Sequence, residues 1–241
     1  MFEPGGPTFF ELAEQALSST RKGYDLLAPK FDKTPFRTPD EILAPVAEWI
    51  GDFDRAVDLC CGTGAAMAAL RPYALEGITG VDVSEGMLAV AAGNLREAAG
   101  TAPVRLIEHD VLTWDGGEAY DLAVSFGAFG HILKQEEPAF FDTVYKALRP
   151  GGRFVFVTGR NPGPVHPGWW AARAFNAAIH ARNLVISPPF HMYYLTFMWP
   201  EIGDKLTARG FDVRLHEGLF EGRLERVLLV EAVKPDGVRG E

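Results

Sequence analysis

The chain has 241 residues, 47% of them hydrophobic, which is enough to bury a large core as one domain or as one domain with a cap. It carries 23 Lys+Arg against 32 Asp+Glu, a net charge of −9, and shows no basic run, which argues against duplex nucleic acid held by phosphate contacts. The opening Met1-Phe2-Glu3-Pro4 lacks the cationic segment and long apolar run of a secretion signal, and no stretch reaches the ~18 uninterrupted apolar residues of a membrane span. The only cysteines, Cys60 and Cys61, are neighbours and cannot staple distant elements, so a reducing cytoplasm and no membrane partner are expected.

In chain order, Phe9, Leu12, Ala13, Ala16 and Leu17 recur at helical spacing and predict a short opening helix. Residues 18–37 read as irregular, with Tyr24, Phe31 and Phe36 as anchors. Thr38-Pro39-Asp40-Glu41 reads as a helix start with Thr38 as the cap, and Pro45 is expected to kink that helix. Strands and helices then alternate. Strands are predicted at Arg55–Leu59, Gly77–Val83, Val104–Glu108, Tyr120–Phe126 and Arg153–Thr158. Helices are predicted from about Ala65, after a Ser84 cap, and from Pro138. This rhythm indicates a parallel sheet covered on both faces. The chain then departs from it: Pro200–Ala208 is a predicted helix, and strands around Phe211–Leu215 and Leu224–Val233 should pair as an antiparallel hairpin. Between the fifth strand and that helix, Arg160–Met198 is a 39-residue connection rich in aromatics, with a helical stretch over Trp169–Arg182. A connection of that length is usually a lid or binding element.

The richest stretch is Val57-Asp58-Leu59-Cys60-Cys61-Gly62-Thr63-Gly64, an apolar strand running into an acid and a glycine-bearing turn. Glycine lets a ligand lie against bare backbone. A second acid, Asp82, closes the next strand 24 residues later. Together they describe a nucleotide-like cofactor at the carboxyl ends of parallel strands. A dinucleotide fingerprint would need glycine at Met67, which disfavours a nicotinamide-dependent oxidoreductase.

Five motifs in order make the chain resemble the class I S-adenosylmethionine-dependent methyltransferases over most of residues 38–233. They are Asp58-Leu59-Cys60-Cys61-Gly62-Thr63-Gly64, Gly80-Val81-Asp82-Val83-Ser84, His109-Asp110-Val111, Leu148-Arg149-Pro150-Gly151-Gly152 and the final hairpin. Cys60 stands where the family pattern usually has glycine. The resemblance implies a Rossmann-like α/β fold: a seven-stranded, mostly parallel sheet with helices on both faces and an antiparallel C-terminal hairpin. It implies a segment 1–37 forming an N-terminal helix and cap, a cofactor-binding core 38–159, an aromatic cap insertion 160–198, and a completion of the sheet over 199–241.

The resemblance also implies S-adenosylmethionine as cofactor, and roles for particular residues. Asp82 takes the ribose hydroxyls beside Val83, and Asp110 and Val111 take the adenine edge. Met87 packs on the adenine face. Asp58, Cys60, Gly62 and Gly64 lie by the methionyl end, which Ser125, Phe126 and Gly127 line. His131, in the corner after strand four, is the candidate general base. Tyr24, Trp169, Tyr193 and Tyr194 are candidate contacts for a small-molecule methyl acceptor. That corner lacks the Asn/Asp-Pro-Pro-Tyr/Phe signature linked to nucleobase or glutamine amino groups. A tRNA-modifying enzyme, a non-catalytic S-adenosylmethionine-binding module and an aminopropyltransferase are the rival readings, and a homodimer stays open. His166, His180, His191 and His216 show no metal-ligand spacing, so no metal is expected.

Overall fold

The computed structural model describes residues 5–236. Its strands are β1 (Phe53–Leu59), β2 (Ala74–Asp82), β3 (Val104–Glu108), β4 (Tyr120–Val124), β5 (Leu148–Thr158), β6 (Asp212–His216) and β7 (Leu228–Val233). They form one seven-stranded sheet in the order β3-β2-β1-β4-β5-β7-β6. The pairs β1–β2, β1–β4, β2–β3 and β4–β5 are parallel, whereas β7 runs antiparallel to both β5 and β6. The expected mostly parallel sheet with a terminal antiparallel hairpin is therefore the observed one.

The helices are α1 (Phe9–Leu17), α2 (Thr20–Leu27), α3 (Asp40–Ile50), α4 (Ala65–Leu70), α5 (Glu85–Glu97), α6 (Glu137–Ala147), α7 (Pro167–Val185) and α8 (Glu201–Ala208). Successive strand side chains point to opposite faces, and the core divides accordingly. Val57, Leu59, Ala123, Phe154 and Phe156 pack with Phe140, Phe141 and Val144 of α6 and Ile202 and Leu206 of α8. Ala56, Leu122 and Val155 pack instead with Val46 and Ile50 of α3 and Leu88, Ala91 and Leu95 of α5. With both faces covered, the central strands have no solvated side, which is why they read as near-continuous apolar runs. Among the described residues no helix is long and apolar enough to cross a membrane.

Several local expectations are corrected. Residues 18–37 are not irregular: Ser19 caps α2 by accepting from the Lys22 N–H, and a 3-10 helix spans Ala28–Lys33. Gly23 in an eight-residue helix left too little apolar periodicity to read. Thr38 does not cap α3. Pro39 stays extended at ψ 151°, so the helix begins at Asp40 without a side-chain cap. The last strand starts at Leu228, because Gly222–Leu224 winds into a 3-10 turn. The expected terminal segments include residues 1–4 and 237–241, which lie outside the described residues.

Candidate active site

β1 delivers its chain into a turn where Cys60, Gly62 and Gly64 have φ of 60°, 52° and 81°. Glycine adopts this left-handed region freely and other residues do so at a cost, so Cys60 is the strained member. A Cβ built on Gly62 meets nothing within 4 Å, so bare backbone faces open space there. Gly64 turns away: its Cβ would lie 3.2 Å from Leu95 and 3.3 Å from Ala91.

At the end of β2 the Asp82 carboxylate is fixed by backbone. Gly62 N–H donates to Oδ2 and Ser84 N–H to Oδ1, each at 2.9 Å. Ser84 in turn caps α5 by accepting from Met87 N–H at 3.1 Å. Asp58 closes β1 at 2% exposure and Asp82 is 9% exposed. Burial holds the Asp58 carboxyl well above its ordinary range, with the Asp82 charge adding to the effect. Burial also raises Asp82, against the backbone donors that favour its charged form. Among the described residues neither carboxylate forms an ion pair. Two buried acids without a cation are costly unless a ligand brings one.

The N-terminal segment lies across this end of the sheet. Asp25 of α2 accepts from Ser84 Oγ at 2.6 Å and from Gly86 N–H at 3.0 Å. Asp32 accepts from Thr63 Oγ1 at 2.5 Å and from Asn94 Nδ2 at 3.0 Å. Arg21 pairs with Glu108 at the end of β3.

After β4 the chain turns through Phe129–His131. His131 Nδ1 lies 2.5 Å from the His191 carbonyl oxygen, which can only accept, so Nδ1 carries the proton. Nε2 is then the acceptor for the Tyr24 hydroxyl at 2.7 Å. Burial pushes His131 below its ordinary value and holds the ring neutral, and burial with the Asp82 charge raises the Tyr24 phenol. Among the described residues, one buried side-chain nitrogen lacks a partner, His191 Nδ1, and His191 lies in the same wall.

These groups surround one cavity of about 800 Å³. It brings together the expected Asp58, Cys60, Gly62, Asp82, Val83, Met87, Asp110, Val111, Phe126, Gly127 and His131, and Tyr24, Tyr193 and Tyr194. Three expected residues do not line it. Gly64 packs on α5, Ser125 is buried and donates to the Leu59 carbonyl at 2.8 Å, and Trp169 stacks edge-on with Trp170 on α7. Of the connection 160–198, only the 191–196 stretch and Met198 reach the cavity. Sequence reasoning missed Thr20, Phe36, Phe129, His191 and Met198 as wall residues, and it saw Tyr24 and His131 without their bond.

A family model described as a methyltransferase domain matches residues 56–152. That segment runs from β1 to the turn inside β5 and carries four of the five motifs. The match to this methyltransferase domain covers residues 56–152 of the chain. The chain is 35% identical over 132 residues to a trans-aconitate 2-methyltransferase of Streptomyces avermitilis, covering 52% of this chain and 47% of that protein. It is 32% identical over 118 residues to a demethylmenaquinone methyltransferase of Symbiobacterium thermophilum, covering 45% and 44%. The chain thus spans about half the length of the curated relatives it matches. In fold, the chain resembles the DhpI–SAH complex with a TM-score of 0.65 at 20% identity, over 95% of this chain and 100% of that one. It also resembles the N-methyltransferase NodS of Bradyrhizobium japonicum in complex with S-adenosyl-L-homocysteine, with a TM-score of 0.58 at 16% identity over 95% and 98%.

Proposed function

We propose that this methyltransferase binds S-adenosylmethionine at the carboxyl ends of β1, β2 and β3 and methylates a small molecule held at the ends of β4 and β5. The observation that carries the reading is the pair of buried, unpaired carboxylates Asp58 and Asp82 sharing one cavity with the Tyr24–His131 hydrogen bond. The residues suit the cofactor. Asp82 has two fixed oxygens for vicinal hydroxyls, and the open face of Gly62 admits close approach. Asp58 offers charge to an ammonium group, and Asp110 and Val111 offer an acceptor and a donor for an adenine edge. The relatives' names support the family, and the S-adenosyl-L-homocysteine bound to NodS supports the ligand class.

When bound, the cofactor supplies an electrophilic methyl group on a sulfonium leaving group. The chain must then align an acceptor, exclude water and remove a proton where one is lost. The N-terminal segment and the 191–198 stretch close the cavity and exclude water. Tyr24 oxygen takes the acceptor's proton as its own passes to His131 Nε2. The His191 carbonyl keeps Nδ1–H in place and stabilises the imidazolium that forms. Because His131 is held low, the neutral form persists below pH 6.5, and the acid limb of turnover is expected there.

Tyr24→Phe and His131→Asn each break the proton relay. Each should lower methyl transfer from S-adenosylmethionine to a phenol acceptor by about 10²-fold or more, while S-adenosylhomocysteine affinity stays within about threefold. Unchanged turnover in both variants would remove the relay from the reading.

A further inference from the structure

The cavity has two chemically different halves, and the sheet order separates them. Its walls at the ends of β1, β2 and β3 hold Asp58, Asp82 and Asp110. Toward β4, β5 and the 191–198 stretch the wall is apolar: Phe36, Ile42, Phe129, Val157, Met192 and Met198. Phe129 is held flat by stacking on Phe197 with ring centroids 4.2 Å apart, so this half has a rigid aromatic floor.

The charges nearest that half are already spent. Arg37 donates to Asp40 at 2.8 Å and lies 3.7 Å from Asp32, and one of its nitrogens donates to the Thr38 carbonyl. Arg21 pairs with Glu108. Arg160, just beyond β5, pairs with Glu217 at 2.7 Å and does not line the cavity. The one carboxylate on this side, Glu136, accepts from the Leu133 N–H at 2.9 Å. Besides Glu136, the polar side chains on this half are Tyr24 bonded to His131, the hydroxyls of Thr38, Thr158 and Thr196, and His191.

An anionic acceptor would have to enter an apolar pocket without a free guanidinium among the described wall residues, past three cofactor-side carboxylates. Burying an unpaired charge in such surroundings is strongly unfavourable. An ammonium acceptor would likewise leave water for these apolar walls, where the carboxylate of Glu136 already accepts from the Leu133 N–H. Resting on the cofactor reading above, we infer that the acceptor is an uncharged, largely apolar molecule, flat enough for the Phe129 floor, whose hydroxyl meets Tyr24. This narrows small-molecule acceptor to a neutral aromatic or ring alcohol, and it departs from an acid such as the one named in the Streptomyces relative.

One scaffold carrying three charges tests it. Protein saturated with S-adenosylhomocysteine is titrated calorimetrically with naphthalen-2-ol, 2-naphthoate and 2-naphthylmethylammonium. The neutral alcohol is expected to bind at least tenfold more tightly than either ion. Met198→Lys should weaken the alcohol and strengthen the carboxylate, reversing that order. Equal or tighter binding of an ion to the parental protein, or no binding of the alcohol to the loaded protein, overturns the inference while leaving the cofactor reading intact. If S-adenosylhomocysteine itself does not bind, the cofactor reading fails, and this inference with it.

Discussion

At the scale of single residues, Cys60 shows most clearly how the site departs from the glycine pattern that its sequence resembles. Its φ of 60° belongs to glycine, yet a thiol stands there, partly buried against the core on the α6 side. Burial and the charges of Asp82, Asp58 and Asp110 push that thiol well above its ordinary value, so it is a small apolar wall atom and not a nucleophile. Cys60→Gly should change stability by less than about 1 kcal/mol, since relief of strain is offset by greater freedom of the unfolded chain. Cys60→Val should cost about 1–3 kcal/mol, because a β-branched residue is a true outlier at positive φ. Denaturant unfolding of the two variants checks this, and equal midpoints would show that the turn is not held as described. Asp58 and Asp82 carry a sign of their own. Their carboxyls titrate higher in the folded than in the unfolded state, so the folded chain binds more protons above pH 3.8, and stability falls as pH rises through the raised values. A cationic ligand offsets that loss, so its affinity should rise with pH over the same window.

At the scale of elements, α2 decides how the cofactor half is closed. Asp25 reaches across 59 residues of sequence to Ser84 and 61 to Gly86. Asp25→Ala removes the acceptor for both donors, a loss of roughly 1 kcal/mol or more. Amide hydrogen exchange over residues 20–27 should speed up, and S-adenosylhomocysteine should dissociate about tenfold faster. Unchanged exchange would mean that α2 is held by other contacts. The alternating part of the fold was legible because each strand is buried on both faces and each helix has an apolar stripe. The Met87, Leu88, Ala91 and Leu95 face of α5 is the plainest case, and all four are buried. α2 was not legible, since an eight-residue helix held by Asp25, Arg21 and Tyr24 is stabilised by tertiary partners and not by its own pattern. The candidate site divides in the same way. Its acids and glycines sit at strand ends that a motif can mark. The Tyr24–His131–His191 chain joins positions 107 and 60 residues apart, and spacing carries no trace of it.

At the scale of the whole molecule, the strand order places everything the chemistry needs at one end of the sheet. β1 lies at the centre, with acids fanning out over β2 and β3 and apolar walls over β4 and β5. The hairpin of β6 and β7 covers the far edge of β5 and takes no part in the cavity. The long connection after β5 contributes its last residues to the wall, while most of α7 stays exposed, with Ile179 its one buried residue. On the proposed reading, the acids at the ends of β1 and β2 hold a sulfonium nucleoside and not a dinucleotide. Calorimetric titration of the protein with S-adenosylmethionine, S-adenosylhomocysteine and NAD between pH 5 and pH 8 tests it most directly. Both sulfur ligands are expected to bind, more tightly at the higher pH, with no heat from NAD. Binding of NAD with no response to either sulfur ligand would contradict it.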